Sequence, residues 1–136
     1  MEFVPILLMF VFSGVFERHP KLKVVCAEAD AGWVPHFMYR MDHAYTRHRY
    51  WLETGTLTKM PSEYFANNIY VTCQDDFAAT HLTELSPTKR LMWASDFPHN
   101  DGTYPNTKAV IKKLTDGMSA EDKTRIVGAN VSELYG

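Results

Sequence analysis

Three apolar runs of strand character, at residues 22–27, 69–73 and 91–95, each give way within two residues to acidic side chains. Glu28 and Asp30 follow the first run, Asp75 and Asp76 the second, and Asp96 the third. Their β-branched and apolar content is that of buried strands. Between them the apolar spacing becomes helical. Val4, Leu7, Leu8, Val11, Phe12 and Val15 form one stripe, while Ile6, Met9, Phe10 and Phe16 make the other faces apolar as well. This predicts a single first helix, ended by Pro20, that expects burial on more than one side and so calls for covering structure the chain does not itself supply. A second helix is predicted from near Pro35 to about Glu53, with Val34, Phe37, Met38, Met41, Tyr45 and Leu52 inward and Gly55 breaking it. A short helical turn at residues 61–65, an Asn67-Asn68 turn into the second strand and a short helix from Phe77 to Leu85 come next, and Ser86-Pro87 then turns the chain. The tail reads as helical, with Val110, Ile111 and Leu114 inward and a capping-box pattern at Ser119 to Asp122 opening the last helix.

Strands that alternate with helices imply parallel pairing with right-handed crossovers, because a parallel neighbour needs a crossover of this length. The fold class that follows is α/β. In a parallel sheet the carboxyl ends of all strands share one face, where open α/β sheets and closed barrels both place their chemistry. The acids therefore gather at one mouth. Asp30, Asp75 and Asp76 suit helix caps more readily than site roles. Glu28 and Asp96 come first after their strands and are the stronger candidates to point into the mouth. The stretch Leu91-Met-Trp-Ala-Ser-Asp96-Phe-Pro-His99 is the most informative, since a buried strand running into an acid and a Pro-His turn presents a carboxylate from a rigid element.

Composition narrows the reading further. At 136 residues the chain is one domain's worth, with no linker, repeat or internal boundary in sequence. A formal charge of −2 and a pI near 6.3 give no basic footprint, which disfavours nucleic-acid and anionic-membrane partners. Cys26 and Cys73 lie inside apolar runs, as small hydrophobes do, and lack zinc or redox spacing, so a reducing cytoplasm is the simplest setting. The apolar N-terminal run is neither signal peptide nor anchor on this reading. Glu2 stands where positive charge belongs, no small-x-small site follows, and the run is shorter than the roughly 18 to 20 residues that span a bilayer.

Several segments together resemble a known family. They are residues 12–25, Glu28 to Trp33 with Val34-Pro35, Arg40-Met41-Asp42, Tyr70 to Asp76, Met92 to His99, and Gly128-Ala-Asn130 with Leu134-Tyr135. In this order they are similar to the C-terminal part of amidohydrolase-related proteins, in the branch that contains aminocarboxymuconate semialdehyde decarboxylase. The resemblance implies a metal-dependent (β/α)8 barrel of which this chain holds the last three strand/helix units. It implies hydrolysis or non-oxidative decarboxylation of a small carboxylic acid. Asp96 would be the metal-binding and catalytic Asp after the last strand, and Glu28 would stand where decarboxylase relatives carry a catalytic His. Glu28 is then an acid/base group, a hydrogen-bonding partner or a structural residue. His99, near Asp96 in the same loop, would contact substrate or metal-bound water or else make a structural hydrogen bond, and Trp33 would wall the pocket or serve as core. The divalent metal implied is zinc first, with manganese, iron or magnesium as alternatives.

The chain also departs from the family. No two of its six His residues are spaced His-x-His, and the family's further metal-binding His near the fifth strand has no match. A catalytic divalent ion usually takes three or more protein ligands, and a full barrel takes about 250 residues. The expectation is therefore a catalytically incomplete segment that binds metal weakly and self-associates or dimerises through exposed strand edges and its apolar first helix. The alternative is a non-catalytic α/β scaffold or interaction domain derived from such a barrel.

Overall fold

The computed structural model describes residues 3–51, 54 and 57–136. They form two compact units, one from the residues up to Val24 together with Pro35–Ile69, the other from Val25–Val34 together with Tyr70–Gly136.

The first unit carries helices α1 (Phe3–Phe12), α2 (Val15–Arg18), α3 (Val34–His48, from its second residue on) and α4 (Pro61–Asn68). The single first helix predicted from sequence is in fact two. Gly14 adopts φ 73°, a left-handed conformation open to a residue without Cβ, and the chain restarts at Val15. Arg18 Nη1 donates to the Ser13 carbonyl at 2.8 Å, satisfying an acceptor that the end of α1 leaves free. An all-apolar sequence hides such a break, because both segments keep the same inward stripe. Val4, Leu7, Val11 and Phe16 are buried, whereas Ile6 and Met9 on the other face of α1 are 55% and 69% exposed. α3 ends at His48 rather than near Glu53, with Val34 and Met41 buried. Leu52, Glu53 and Gly55 lie outside the described residues.

α4 extends the predicted turn to a full helix. Pro61 opens it, the Glu63 carboxylate accepts the Met60 amide at 2.9 Å, and Asp42 accepts Ser62 N–H and O–H at 2.8 and 2.7 Å. Asn68 is the end of this helix and not a turn residue. Its buried amide donates to the Pro20 and Leu22 carbonyls at 3.0 and 2.8 Å, fixing the approach to the first strand. Tyr64 donates its hydroxyl to Glu17, which also accepts from Thr58 Oγ1 at 2.9 Å. These bonds, Tyr64 first, hold the Glu17 carboxyl below its ordinary range.

The sheet comprises β1 (Val24–Cys26), β2 (Ile69–Cys73) and β3 (Leu91–Trp93) in the order β1-β2-β3. β2 and β3 run parallel, with Val71, Thr72 and Cys73 opposite Leu91, Met92 and Trp93. The α/β class expected from the sequence is thus observed, with shorter outer strands. Leu22 turns its amide back to His19 at 3.0 Å instead of joining the ladder. Ala94 still donates to Cys73, but the Ser95 carbonyl is taken by the Thr103 amide at 3.0 Å, so the loop claims the chain there. β2 is buried almost throughout, and burial pushes the Cys73 thiol up to about 12.

The second unit continues with α5 (Phe77–His81), a 3-10 turn at Thr88–Arg90, α6 (Thr107–Leu114), α7 (Ala120–Thr124), a π-helical turn at Arg125–Ala129, and α8 (Asn130–Tyr135). α5 stops short of the predicted Leu85, where Leu85 N–H turns back to Leu82. Ser119 caps α7 as its pattern predicts, accepting the Asp122 amide at 3.0 Å. Leu114 is buried, with Val110 and Ile111 half-buried beside it. Asn130 is fully buried and donates to the Thr88 and Leu91 carbonyls at 2.7 Å each, which anchors the entry of β3.

Candidate active-site loops

The loops after the three strands meet within the second unit, and Gln74 joins them. Its backbone amide donates to Asp30 Oδ1 at 3.4 Å in the loop after β1, and its side-chain amide donates to the Asp101 carbonyl in the loop after β3. Its own carbonyl accepts the Trp93 indole N–H at 2.9 Å. Nothing in the spacing of the sequence marks Gln74 as this hub, because its partners lie in other loops.

Asp76 makes the second link. Its Oδ1 accepts the Ala79 amide at 3.1 Å and caps α5, while its Oδ2 accepts the Ala31 and Gly32 amides at 2.8 and 2.6 Å. One carboxylate thereby caps a helix and fastens the loop after β1. Gly32 is required for the approach, since a Cβ there would sit 2.6 Å from Ala78 Cβ and 2.9 Å from Asp76 Oδ1. The loop is also closed from its far end. The Trp33 indole donates to the Ala29 and Asp30 carbonyls at 3.0 and 2.8 Å, which places this half-buried ring as a brace on the turn. Within the loop, Asp30 loses water and faces the charges of Asp76, Asp75 and Asp101, which lifts its carboxyl above the ordinary carboxylate range.

Glu28 lies two residues beyond β1 and Asp96 three beyond β3, and each has a left-handed backbone, with φ 54° and 55°; Asp30 shares it at 49°. Residues other than Gly take this conformation at a cost of roughly 1 to 2 kcal/mol. Glu28 is exposed, and its amide donates to Thr72 Oγ1 at 3.0 Å. Asp96 is the more enclosed acid, its side chain 21% exposed. His99 Nδ1 lies 3.3 Å from Asp96 Oδ2, and the Asp101 amide donates to the same nitrogen at 3.3 Å. A neutral ring with its proton on Nε2 suits the Asp101 contact. A ring carrying a proton on Nδ1 suits Asp96. The structure therefore brings Asp96 and His99 together in one loop and places Glu28 and Trp33 in another, the two loops being joined through Asp30, Gln74 and Asp101.

A divalent ion is a demanding test for this donor set. Among the described residues no group of three or more His, Cys, Asp or Glu side chains is placed to hold a metal. Asp96 offers one carboxylate, and its imidazole neighbour already contacts it. The described residues do not form a metal site by themselves. Among the described residues, too, no helix is long and apolar enough to cross a membrane.

Comparison with known proteins agrees with this architecture. The chain is 25% identical over 141 residues to a gamma-resorcylate decarboxylase of Polaromonas sp., covering 94% of this chain and 38% of that protein. A gamma-resorcylate decarboxylase of Rhodococcus jostii is 27% identical over 97 residues, covering 67% of this chain and 28% of the relative. The chain therefore spans well under half the length of these relatives. Among solved structures, 5-carboxyvanillate decarboxylase of Sphingomonas paucimobilis superposes with a TM-score of 0.79 at 23% identity, over 94% of this chain and 38% of that one. These neighbours are barrel enzymes, and the three-stranded parallel sheet corresponds to part of such a barrel. Dihydroxybenzoic acid decarboxylase of Polaromonas sp., with bound manganese and 2-nitroresorcinol, superposes at 0.69 with 20% identity, over 94% and 38% of the two chains. The amidohydrolase family model matches residues 2–136, and the chain belongs to that family.

Proposed function

We propose that this chain is the C-terminal portion of a metal-dependent amidohydrolase-type enzyme, a decarboxylase or hydrolase of a small aromatic carboxylic acid. Asp96 carries this reading. It lies three residues beyond a largely buried parallel strand, on a strained backbone, with an imidazole at 3.3 Å. Such a position presents a carboxylate to the mouth of a barrel. In the proposed enzyme Asp96 supplies one metal ligand and can hold a proton, and His99 orients that carboxylate or meets the substrate. Glu28 stands on the rim as an acid/base or hydrogen-bonding group, and Trp33 shapes the adjoining loop. The remaining metal ligands come from polypeptide outside residues 1–136, consistent with the short match to the relatives. Manganese, present in three of the related structures, stands ahead of zinc as the ion. A bound divalent ion would supply Lewis acidity toward a substrate oxygen. Two buried free thiols suit a reducing compartment such as the cytoplasm. That the described residues hold no cluster of three metal donors favours a second reading, in which the chain persists as a non-catalytic scaffold.

A chimera separates the two. This chain replaces the matched region of the Polaromonas gamma-resorcylate decarboxylase, and the purified protein is assayed for manganese content and for CO2 release from 2,6-dihydroxybenzoate. Near-stoichiometric manganese that is lost in Asp96→Ala supports the enzyme reading. A folded chimera that retains manganese equally well with Asp96→Ala overturns the role of Asp96.

A further inference from the structure

The turn that joins α2 to β1 carries a concentration of positive charge outside the site loops. Arg18, His19 and Lys21, with Pro20 and Leu22, line an open pocket of about 790 Å³. The backbone beneath it is fixed. The His19 amide donates to the Val15 carbonyl at 2.8 Å and the Leu22 amide to the His19 carbonyl at 3.0 Å, while the buried Asn68 side chain donates to the Pro20 and Leu22 carbonyls at 3.0 and 2.8 Å. The cationic side chains are far less committed. Arg18 Nη1 donates to the Ser13 carbonyl at 2.8 Å, and among the described residues neither the His19 ring nor the Lys21 ammonium has a hydrogen bond or an ion pair. The acid next to them in sequence, Glu17, turns its carboxylate to the Tyr64 and Thr58 hydroxyls instead.

We propose that this turn is a binding site for a phosphate group, carried by inorganic phosphate or by a small phosphate ester. Charge and donor geometry select that class. Arg18 and Lys21 bring two positive charges to one pocket, which match a dianion, whereas a single carboxylate would leave one of them unmet. Arg18 spends one Nη1 hydrogen on Ser13, which steadies the guanidinium plane and leaves its Nε–Nη2 edge to make two parallel bonds to phosphate oxygens. Lys21 adds the three donors of its ammonium group, and the His19 ring adds an N–H in either tautomer. Among the described residues that line the pocket none is acidic, so no carboxylate repels an anion there. Because the turn is already held by Asn68, binding has little backbone left to order. The turn precedes β1, whereas Glu28 and Asp30 follow it, so this site is independent of the metal and decarboxylase reading.

The full chain is titrated with sodium phosphate at pH 7, with sodium chloride holding the ionic strength constant, and the backbone amides of the turn are followed by NMR. We expect saturable shifts at Arg18, His19, Lys21 and Leu22, with half-saturation on the order of 1 mM, the range of a small ligand held by a few charge-assisted bonds. Lys21→Gln alters an exposed side chain and is expected to leave the rest of the spectrum in place while weakening binding about fivefold. Arg18→Lys keeps the charge, loses the planar fork, and is expected to weaken binding as well. Shifts that grow linearly to about 50 mM phosphate, far above the expected half-saturation, overturn the proposal. So do shifts that chloride alone reproduces, or an unchanged half-saturation in folded Lys21→Gln. Acetate bound as tightly as phosphate overturns the choice of a dianion. Tighter binding of glycerol phosphate than of inorganic phosphate identifies an ester as the ligand, and the reverse identifies the free anion. Where self-association broadens the spectra, acetylation of Lys21 is read by mass spectrometry against the exposed Lys112 and Lys113 as internal references. Phosphate at about five times half-saturation should slow Lys21 acetylation about fivefold relative to those two, and equal rates with and without phosphate overturn the site.

Discussion

Replacing Asp76 tests whether one carboxylate holds the loop after β1 in place. The wild-type side chain accepts three backbone amides, Ala31 at 2.8 Å, Gly32 at 2.6 Å and Ala79 at 3.1 Å. The two amide bonds from Ala31 and Gly32 to this charged acceptor contribute about 1.5 kcal/mol each at the lower end of their range, which suits a half-exposed group. The third, from Ala79, is the cap of α5 and contributes about 1 kcal/mol. Because the three share one side chain they do not add fully, and Asp76→Ala is expected to cost about 3 kcal/mol, or roughly 10 °C in Tm for a chain of this size. Asp76→Asn keeps one carbonyl oxygen and turns an NH2 toward donors, so it should fall between wild type and Ala. Urea unfolding followed by circular dichroism at pH 7 gives the free energies. Hydrogen exchange gives the location, with the Ala31 and Gly32 amides accelerated more than those of β2. A loss below about 0.5 kcal/mol in Asp76→Ala, the level of an ordinary surface substitution, would refute the reasoning. So would Asn equal to Ala, or exchange that rises uniformly across the unit.

Two further outcomes follow from the same unit. Asn130→Ala removes both donors that grip Thr88 and Leu91 inside the fold and should cost about 2 to 3 kcal/mol in a denaturant melt; a change within 0.5 kcal/mol would show that β3 does not depend on that amide. Asp30→Asn removes a carboxylate held above its ordinary range while keeping a side chain that tolerates the left-handed backbone and can still accept from Gln74. The folded state binds the Asp30 proton more tightly than the unfolded state, so this contribution to stability is complete below pH 3.8 and is lost as pH rises through the raised value. The variant should therefore melt higher than wild type at pH 7 and match it at low pH, and a lower Tm at pH 7 would contradict the assignment.

Much of this arrangement can be read from the residues. The three strand regions, the α/β class and the gathering of acids at strand ends follow from apolar runs broken by Glu28, Asp75 and Asp96, because burial and turn formation leave local marks. The cap function of Asp76 also has a local mark. Its second function does not: Ala31 and Gly32 lie more than 40 residues away, and only the fold brings them to it. Gln74 is hidden for the same reason. Asn68 and Asn130 look like turn or surface residues by composition, yet each is buried and spends its amide on the entry of a strand contributed by another part of the chain. The break at Gly14 escapes notice because an apolar stripe runs through it. Local chemistry thus predicts elements, while polar groups that tie distant elements together need the tertiary contacts to be seen.

The left-handed backbone at Glu28 and Asp96 bears on how this chain can change over generations. A glycine at either position would relieve the conformational penalty, and asparagine would reduce it, without disturbing the strands. Random drift under a requirement for folding alone would therefore run toward Gly and Asn at both positions. A lineage that had lost its chemistry would record the loss there first, with no fall in solubility or expression to betray it. Sequencing survivors of a library randomised at positions 28 and 96, selected only for folded protein, would measure that drift directly.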